Sequence, residues 1–298
     1  MKTLKTLFLS LLLSASSWAA STINTTNAYS YGANIGWMNW RPSLADGVEI
    51  DEYVLSGYIY GANVGWIHMG DGTPTNNIRY SNTVANDFGV NYLTDPMLPG
   101  KAILRGYAYG ANIGWINFES TGNPRLRFSD GRLEGYAYSA NVGWINLGDG
   151  TFAVQTDSVA NGLDTDMDGM ADAFEFLYLG GLGGNPALDS DGDGMTNLDE
   201  YLNGTAPNLA TDKLRITVFS TDSGGANSLL TWTSNTSRLY TIETTINLLD
   251  PLSWVPNTDF GVAFAPDMSS STTTRNPLTE PANTKRFWRV RAIRPLAP

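Results

Sequence analysis

Two twelve-residue stretches carry the densest chemistry in the chain. The first runs from Asp164 through Asp166, Asp168, Gly169, Met170 and Asp172 to Glu175. The second runs from Asp189 through Asp191, Asp193, Gly194, Met195 and Asn197 to Glu200. Both fit the pattern D-x-D-x-D-G-x5-E over all twelve positions. The spacing suits a hard cation: calcium takes about six to eight oxygens, whereas magnesium keeps several waters and wants fewer carboxylates. Positions 1, 3 and 5 project three carboxylates inward from a tightly wound loop, and the glycine at position 6 permits the sharp turn. Met170 and Met195 offer their backbone carbonyls, Asp172 and Asn197 act directly or through water, and Glu175 and Glu200 can bind with both oxygens. Two complete matches 25 residues apart separate this segment from an acidic, glycine-rich linker. Two calcium ions are expected. Without them the carboxylates repel one another, so the segment is expected to fold only with metal.

Each loop must lead into an element that carries its final glutamate. Helical spacing of Phe174, Leu177 and Tyr178 predicts a helix over 170–178, and Leu198, Tyr201 and Leu202 predict one over 195–202. Gly180, Gly181 and Gly204 supply the stops. The two apolar faces are expected to pack together. No helix is predicted before either loop, because Gly162 interrupts 158–163, and 180–188 holds four glycines and Pro186. The segment resembles the thrombospondin type 3-like calcium repeats of secreted bacterial proteins, and it is also similar to dockerins, which have two loop–helix halves. The first resemblance implies a rigid spacer between domains. The second would imply docking to a cohesin-type partner, although the glycine-rich linker and internal location depart from it.

Upstream lies a repeat. Its four copies read Tyr29-Ser-Tyr-Gly-Ala-Asn-Ile-Gly-Trp37, Tyr58-Ile-Tyr-Gly-Ala-Asn-Val-Gly-Trp66, Tyr107-Ala-Tyr-Gly-Ala-Asn-Ile-Gly-Trp115 and Tyr136-Ala-Tyr-Ser-Ala-Asn-Val-Gly-Trp144. They start 29, 49 and 29 residues apart. Period-2 alternation on both sides of a Gly/Asn-containing centre predicts one β-hairpin per copy. Further strands are predicted over 77–80, 102–105 and 125–128, with Asp130-Gly131 as a tight turn. The tryptophan column is expected to form the shared core, because aromatic rings dominate β-packing. The alternative is an exposed aromatic face that stacks on sugar rings. His68 stands where the other copies hold Asn39, Asn117 and Asn146, and is read as a tolerated polar substitution.

From residue 212 the pattern returns to strands, over 213–220, 228–233, 239–245 and 286–292, as expected of a β-sandwich. The run through Trp232, Ile242, Trp254 and Phe287-Trp-Arg-Val-Arg291 resembles C-terminal fibronectin III-like domains of exported bacterial proteins. Such domains bind proteins or glycans, or space other domains. Arg286, Arg289 and Arg291 are expected on a solvated face.

The fold class is therefore mainly β. An all-β repeat domain over 20–156 precedes a paired calcium loop–helix module over 157–210 and a β-sandwich over 211–298. Residues 1–19 read as a secretory leader, with Lys2 and Lys5 before a short apolar run and small residues up to Ala19. No later stretch is long and apolar enough to span a membrane. Loss of the leader moves the net charge from −11 to −13, which argues against a nucleic-acid partner. The chain has no cysteine and one histidine, excluding thiol chemistry and disulfides and leaving little room for histidine catalysis. No nucleophile elbow, phosphate loop or paired catalytic carboxylates appear, so no enzymatic activity is expected. The composite expectation is an exported calcium-binding structural or interaction protein, meeting a protein or polysaccharide at the cell surface. The alternative is carbohydrate binding through the repeat aromatics.

Overall fold

The computed structural model describes residues 20–298 apart from Leu44, Ser269 and 280–284, and only the backbone of Pro277 and Thr279. The leader expected over 1–19 lies outside the described residues. The fold is mainly β: among the described residues there are eighteen strands and two α-helices.

Each aromatic repeat forms a hairpin, as predicted. The four hairpins pair β1 (Ile23–Gly32) with β2 (Gly36–Asn39), β4 (Val54–Gly61) with β5 (Gly65–Gly70), β7 (Lys101–Gly110) with β8 (Gly114–Asn117), and β10 (Leu133–Ser139) with β11 (Gly143–Gly148). Each hairpin also pairs with the next, and β11 returns to β1. The eight strands therefore close into a barrel. Short strands β3 (Glu49–Ile50), β6 (Val90–Thr94), β9 (Arg125–Arg127) and β12 (Val154–Thr156) extend the long strands at one end.

An eight-stranded barrel has an interior just wide enough for side chains to fill. Here the paired inward positions are Ser30 with Met38, Ile59 with Ile67, Ala108 with Ile116, and Ala137 with Ile145. Large residues face small ones in three of the four pairs, and all eight are buried. Trp40, Met69, Phe118 and Leu147 complete the filling, leaving a cavity of 10 Å³. Ser30 is the polar exception. Its hydroxyl accepts the Trp40 indole N–H at 2.9 Å, so the ring is buried without an orphaned donor.

The hairpin tips explain the Ala-Asn-Ile/Val-Gly core of the motif. Asn34, Asn63, Asn112 and Asn141 each donate Nδ2 to a backbone carbonyl of the preceding copy: Val142, Ile35, Val64 and Ile113, at 3.0–3.1 Å. These four bonds run head to tail around the barrel mouth. The following glycines, Gly36, Gly65, Gly114 and Gly143, all have φ between 71° and 83°, where a side chain is strained. Beneath the ring, Ile35, Val64 and Ile113 plug the mouth.

The strand predicted over 77–80 does not form. Asn77 is left-handed, with φ 59°, and Asn76 Oδ1 accepts the N–H groups of Ile78 and Arg79 at 2.8 Å. An Asx turn therefore replaces the strand. The C-terminal region is a two-sheet sandwich. One sheet holds β13 (Ile216–Thr221), β14 (Asn227–Thr233) and β17 (Thr272–Thr279); the other holds β15 (Leu239–Thr245), β16 (Val255–Pro256) and β18 (Phe287–Ile293). Leu230, Trp232, Tyr240, Ile242 and Leu278 form its core.

Candidate functional site

The two acidic loops wind alike. Asp164 accepts the N–H groups of Asp168 and Gly169, at 3.3 and 3.1 Å. Asp189 accepts those of Gly192, Asp193 and Gly194, at 2.8, 3.1 and 2.9 Å, and these bonds hold its carboxyl below the usual range, Gly194 most. Met170 and Met195 donate their N–H groups to Asp168 and Asp193 Oδ1, both at 2.9 Å. The result gathers Asp164, Asp166 and Asp168, and separately Asp189, Asp191 and Asp193, each trio presenting oxygens within 4.8 Å of one another. Either trio could hold a metal ion.

The final glutamates arrive on α1 (Asp172–Tyr178) and α2 (Asn197–Asn203), each starting two residues later than predicted. Glu175 and Glu200 are fully buried. Each uses Oε1, for Gly184 N–H at 2.9 Å and Thr205 Oγ1 at 3.3 Å respectively. Oε2 of both has no hydrogen-bond partner, and neither have Asp168 Oδ2, Asp191 Oδ2, Asp193 Oδ2 and Asn197 Oδ1, all buried. Burial, then Asp191 and Asp193, push the Glu200 carboxyl up to about 7. Burial, and in lesser measure Asp166 and Asp168, raise Glu175. Buried acceptors without donors are costly, and an oxygen-only donor set suits a hard cation. These residues therefore fit a divalent metal. Asp172 is placed differently: its two oxygens accept Thr165 N–H at 2.7 Å and Thr165 Oγ1 at 2.6 Å. Asn197 donates Nδ2 to Asn185 O at 2.8 Å and keeps Oδ1 without a donor.

The two helices pack face to face, as their spacing predicts. Phe174 meets Tyr201 at 5.1 Å, and with Met170 and Ala171 they form a small core against which Tyr53, from the barrel, packs. The module therefore touches both neighbours rather than being strung between them. Glu52, preceding β4, pairs with Arg238 of the sandwich at 3.5 Å and with Arg294 at 3.6 Å, all three side chains nearly buried. Arg238 also donates to the carbonyls of Tyr201 and Leu202 on α2, at 2.6 and 2.9 Å, and Arg294 donates to the Tyr201 hydroxyl at 3.2 Å. Lys213 Nζ reaches Asp193 O at 2.7 Å. Of the three arginines expected on a solvated face, Arg289 and Arg291 are exposed there and share Glu243, at 2.6 and 3.4 Å.

The barrel exterior corrects the expectation that the tryptophan column forms the core. Trp37, Trp66, Trp115 and Trp144 are 52, 50, 45 and 46% exposed. Aliphatic side chains with Trp40 and Phe118 fill the barrel, and the alternation places Trp37, Trp66, Trp115, Trp144 and the tyrosines beside them outside it. In each copy the tryptophan sits 4.9–5.0 Å from the second tyrosine and 6.1–6.4 Å from the first.

Strand register links these rings across copies. Tyr29 pairs with Asn39, Asn39 with Tyr60 of the next copy, and Tyr60 with Trp66. The same sequence of types recurs as Tyr58, His68, Tyr109, Trp115, then Tyr107, Asn117, Tyr138, Trp144, then Tyr136, Asn146, Tyr31, Trp37. Four equivalent rows thus wrap the barrel, each about 14 Å across four strands. Asn39 and Asn117 use their carbonyl oxygens for Arg41 N–H and Glu119 N–H, at 2.9 and 2.5 Å. His68 is stacked on Tyr58 at 4.7 Å and abutted by Phe88 at 5.4 Å. Its Nε2 is buried without a partner, and burial lowers its pKa.

Sequence reasoning missed Phe88 and Phe152, which lie edge-on to Trp115 and Trp37 at 5.1 and 5.0 Å. Both lie outside the repeat, in connections whose path periodicity does not reveal. No family model, curated protein or solved structure matches the chain.

Proposed function

We propose that this protein is an exported carbohydrate-binding protein whose recognition surface is the outer face of the barrel. Two calcium ions hold the module that joins barrel and sandwich. The observation that carries the reading is the set of four Tyr–Asn/His–Tyr–Trp rows, held outward by a barrel that has a separate, complete core. The four tryptophans of these rows are about half exposed. Large apolar surface kept in water marks an interaction site, and tyrosine and tryptophan combine an apolar face with a polar tip. Saccharide rings match that chemistry: their C–H faces stack on aromatic rings and their hydroxyls bond amides such as Asn39 and Asn117. Fourfold repetition along a polymer gives avidity without a tight single site.

Calcium enters through the oxygen-only donor sets and the unpartnered buried carboxylate oxygens. When bound, it supplies the positive charge those groups lack. The Asp trios, Glu175 and Glu200 would hold the ions, and α2 then presents the Tyr201 and Leu202 carbonyls to Arg238. Calcium in this reading sets the arrangement of the three units and does not touch the ligand. A glycan array probed with wild-type protein and with a Trp66→Ala/Trp115→Ala double variant tests the assignment. Binding to neutral glycans that the double variant loses supports it; an array with no bound glycan in calcium refutes it.

A further inference from the structure

The four aromatic rows are not equivalent on their outer side. At Trp115 the long connection between the second and third copies folds over the barrel and makes a cleft of 310 Å³. Trp115 and Tyr107, 6.2 Å apart and nearly perpendicular, form one side, and Phe88 stands edge-on to Trp115 at 5.1 Å. Segment 82–85 forms the facing wall. Trp66 and Trp144 have no third aromatic ring against them among the described residues. Trp37 does, but its Phe152 comes from a tight turn in which Asp149 Oδ1 accepts the Thr151 and Phe152 N–H groups.

The cleft wall is built, not draped. Asn82 N–H donates to Asp87 O at 3.0 Å, and Asn82 Oδ1 accepts Gly89 N–H at 3.1 Å. Asp87 is buried, and its carboxylate accepts Ser81 N–H at 3.0 Å and Thr75 N–H at 3.2 Å. That carboxylate is thus committed to the loop rather than presented to a ligand. No charged side chain lines the cleft. Its polar groups are neutral hydroxyl, amide, phenol and indole. The volume lies at the small end of ligand pockets.

We infer that this cleft is a single-ring subsite for a neutral pyranose, at which one sugar of a chain is gripped from two sides while the open rows hold the rest of the polymer. The inference rests on the carbohydrate reading of the rows and names its specificity: uncharged sugars, bound most tightly at the third copy. Walls fixed before binding reduce the ordering cost, so short oligosaccharides favour this subsite over the open rows.

The test is calorimetric titration of the full chain, in calcium, with neutral hexasaccharides of glucose, mannose and xylose, and with hexagalacturonate as the charged control. Ala85→Phe fills the cleft from its exposed wall without touching the barrel, and thermal unfolding verifies that it folds. Ala85→Phe and Trp115→Ala are each expected to weaken the best neutral hexasaccharide by about tenfold or more, with retention on the matching polysaccharide preserved. Trp66→Ala and Trp144→Ala are expected to weaken hexasaccharide binding less than either, and Leu249→Ala, exposed on the sandwich, to leave it unchanged. Hexasaccharide binding that ignores Ala85→Phe but falls in Trp66→Ala or Trp144→Ala overturns the subsite and leaves the rows standing. Preference for hexagalacturonate overturns the neutral-sugar assignment. Wild-type protein that binds neither hexasaccharide nor polymer overturns subsite and carbohydrate reading together.

Discussion

Glu200→Gln is a substitution with opposite effects on the metal-free and metal-bound protein. Glu200 is fully buried with one carboxylate oxygen unpartnered, and its pKa stands at about 7 against an ordinary 4.5. A carboxyl raised by folding binds its proton more tightly in the native state. Its contribution is therefore complete below about pH 4.5 and is lost as pH rises through about 7. Each tenfold change is worth about 1.4 kcal/mol. The full rise would give roughly 3 kcal/mol, which the high effective dielectric that proteins show even at buried sites reduces to about 1–2 kcal/mol. In chelator at pH 7.5, glutamine removes that penalty, and the variant is expected to unfold a few degrees above wild type. In calcium the order is expected to reverse, because in the proposed reading the carboxylate holds the ion and an amide holds it poorly. Thermal unfolding at pH 5 and 7.5, with calcium and with chelator, reads all four combinations. A variant less stable than wild type in chelator at pH 7.5, or one that calcium protects equally well, refutes the reasoning.

Glu52→Ala leaves Arg238 and Arg294 nearly buried without their shared acid and is expected to cost about 3 kcal/mol; limited proteolysis near residues 157–163 and 205–213 should accelerate while the barrel stays intact. Ile67→Ala, inside the barrel, should cost about 3 kcal/mol, whereas Trp66→Ala, one residue away and half-exposed, should cost about 1 kcal/mol; equal losses in denaturant unfolding would return the tryptophans to the core. His68 has a pKa lowered by burial, so its contribution is present above about 6.5 and is lost as pH falls through its lower native value. His68→Asn, the residue of the other copies, should remove that acid sensitivity, seen as a flatter dependence of unfolding temperature on pH between 4 and 7. Asn63→Ala breaks one link of the mouth ring, leaving Ile35 O without its donor, and should cost about 1 kcal/mol.

The hairpins were legible because alternation and the Gly-Ala-Asn-Ile/Val-Gly centre are local signals, and the winding of the two acidic loops because Asp, Gly and Glu recur at one fixed spacing. Barrel closure was not: pairing of β11 with β1 joins residues more than a hundred positions apart. Which face turns inward also differs from the expectation, since the larger apolar rings lie on the outward face. The decisive signal lay in the residues sharing parity with the aromatics. Asn39, Asn117 and Asn146 point the same way as Tyr and Trp, and polar amides mark a wet face. Ser30, Ala108 and Ala137 on the other face are small because a narrow barrel leaves room for little more opposite Met38, Ile116 and Ile145. Asn76 and Asn77 encode an Asx turn where alternation predicts a strand over 77–80.

Affinity electrophoresis in gels containing neutral polysaccharide, comparing wild type with a Trp66→Ala/Trp144→Ala variant in calcium, tests the recognition surface most directly. Wild type is expected to be retarded and the variant, which keeps Trp37 and Trp115, to be retarded clearly less, with its unfolding temperature within a few degrees of wild type. Equal retardation of a folded variant, or no retardation of wild type in any neutral polysaccharide, would contradict it.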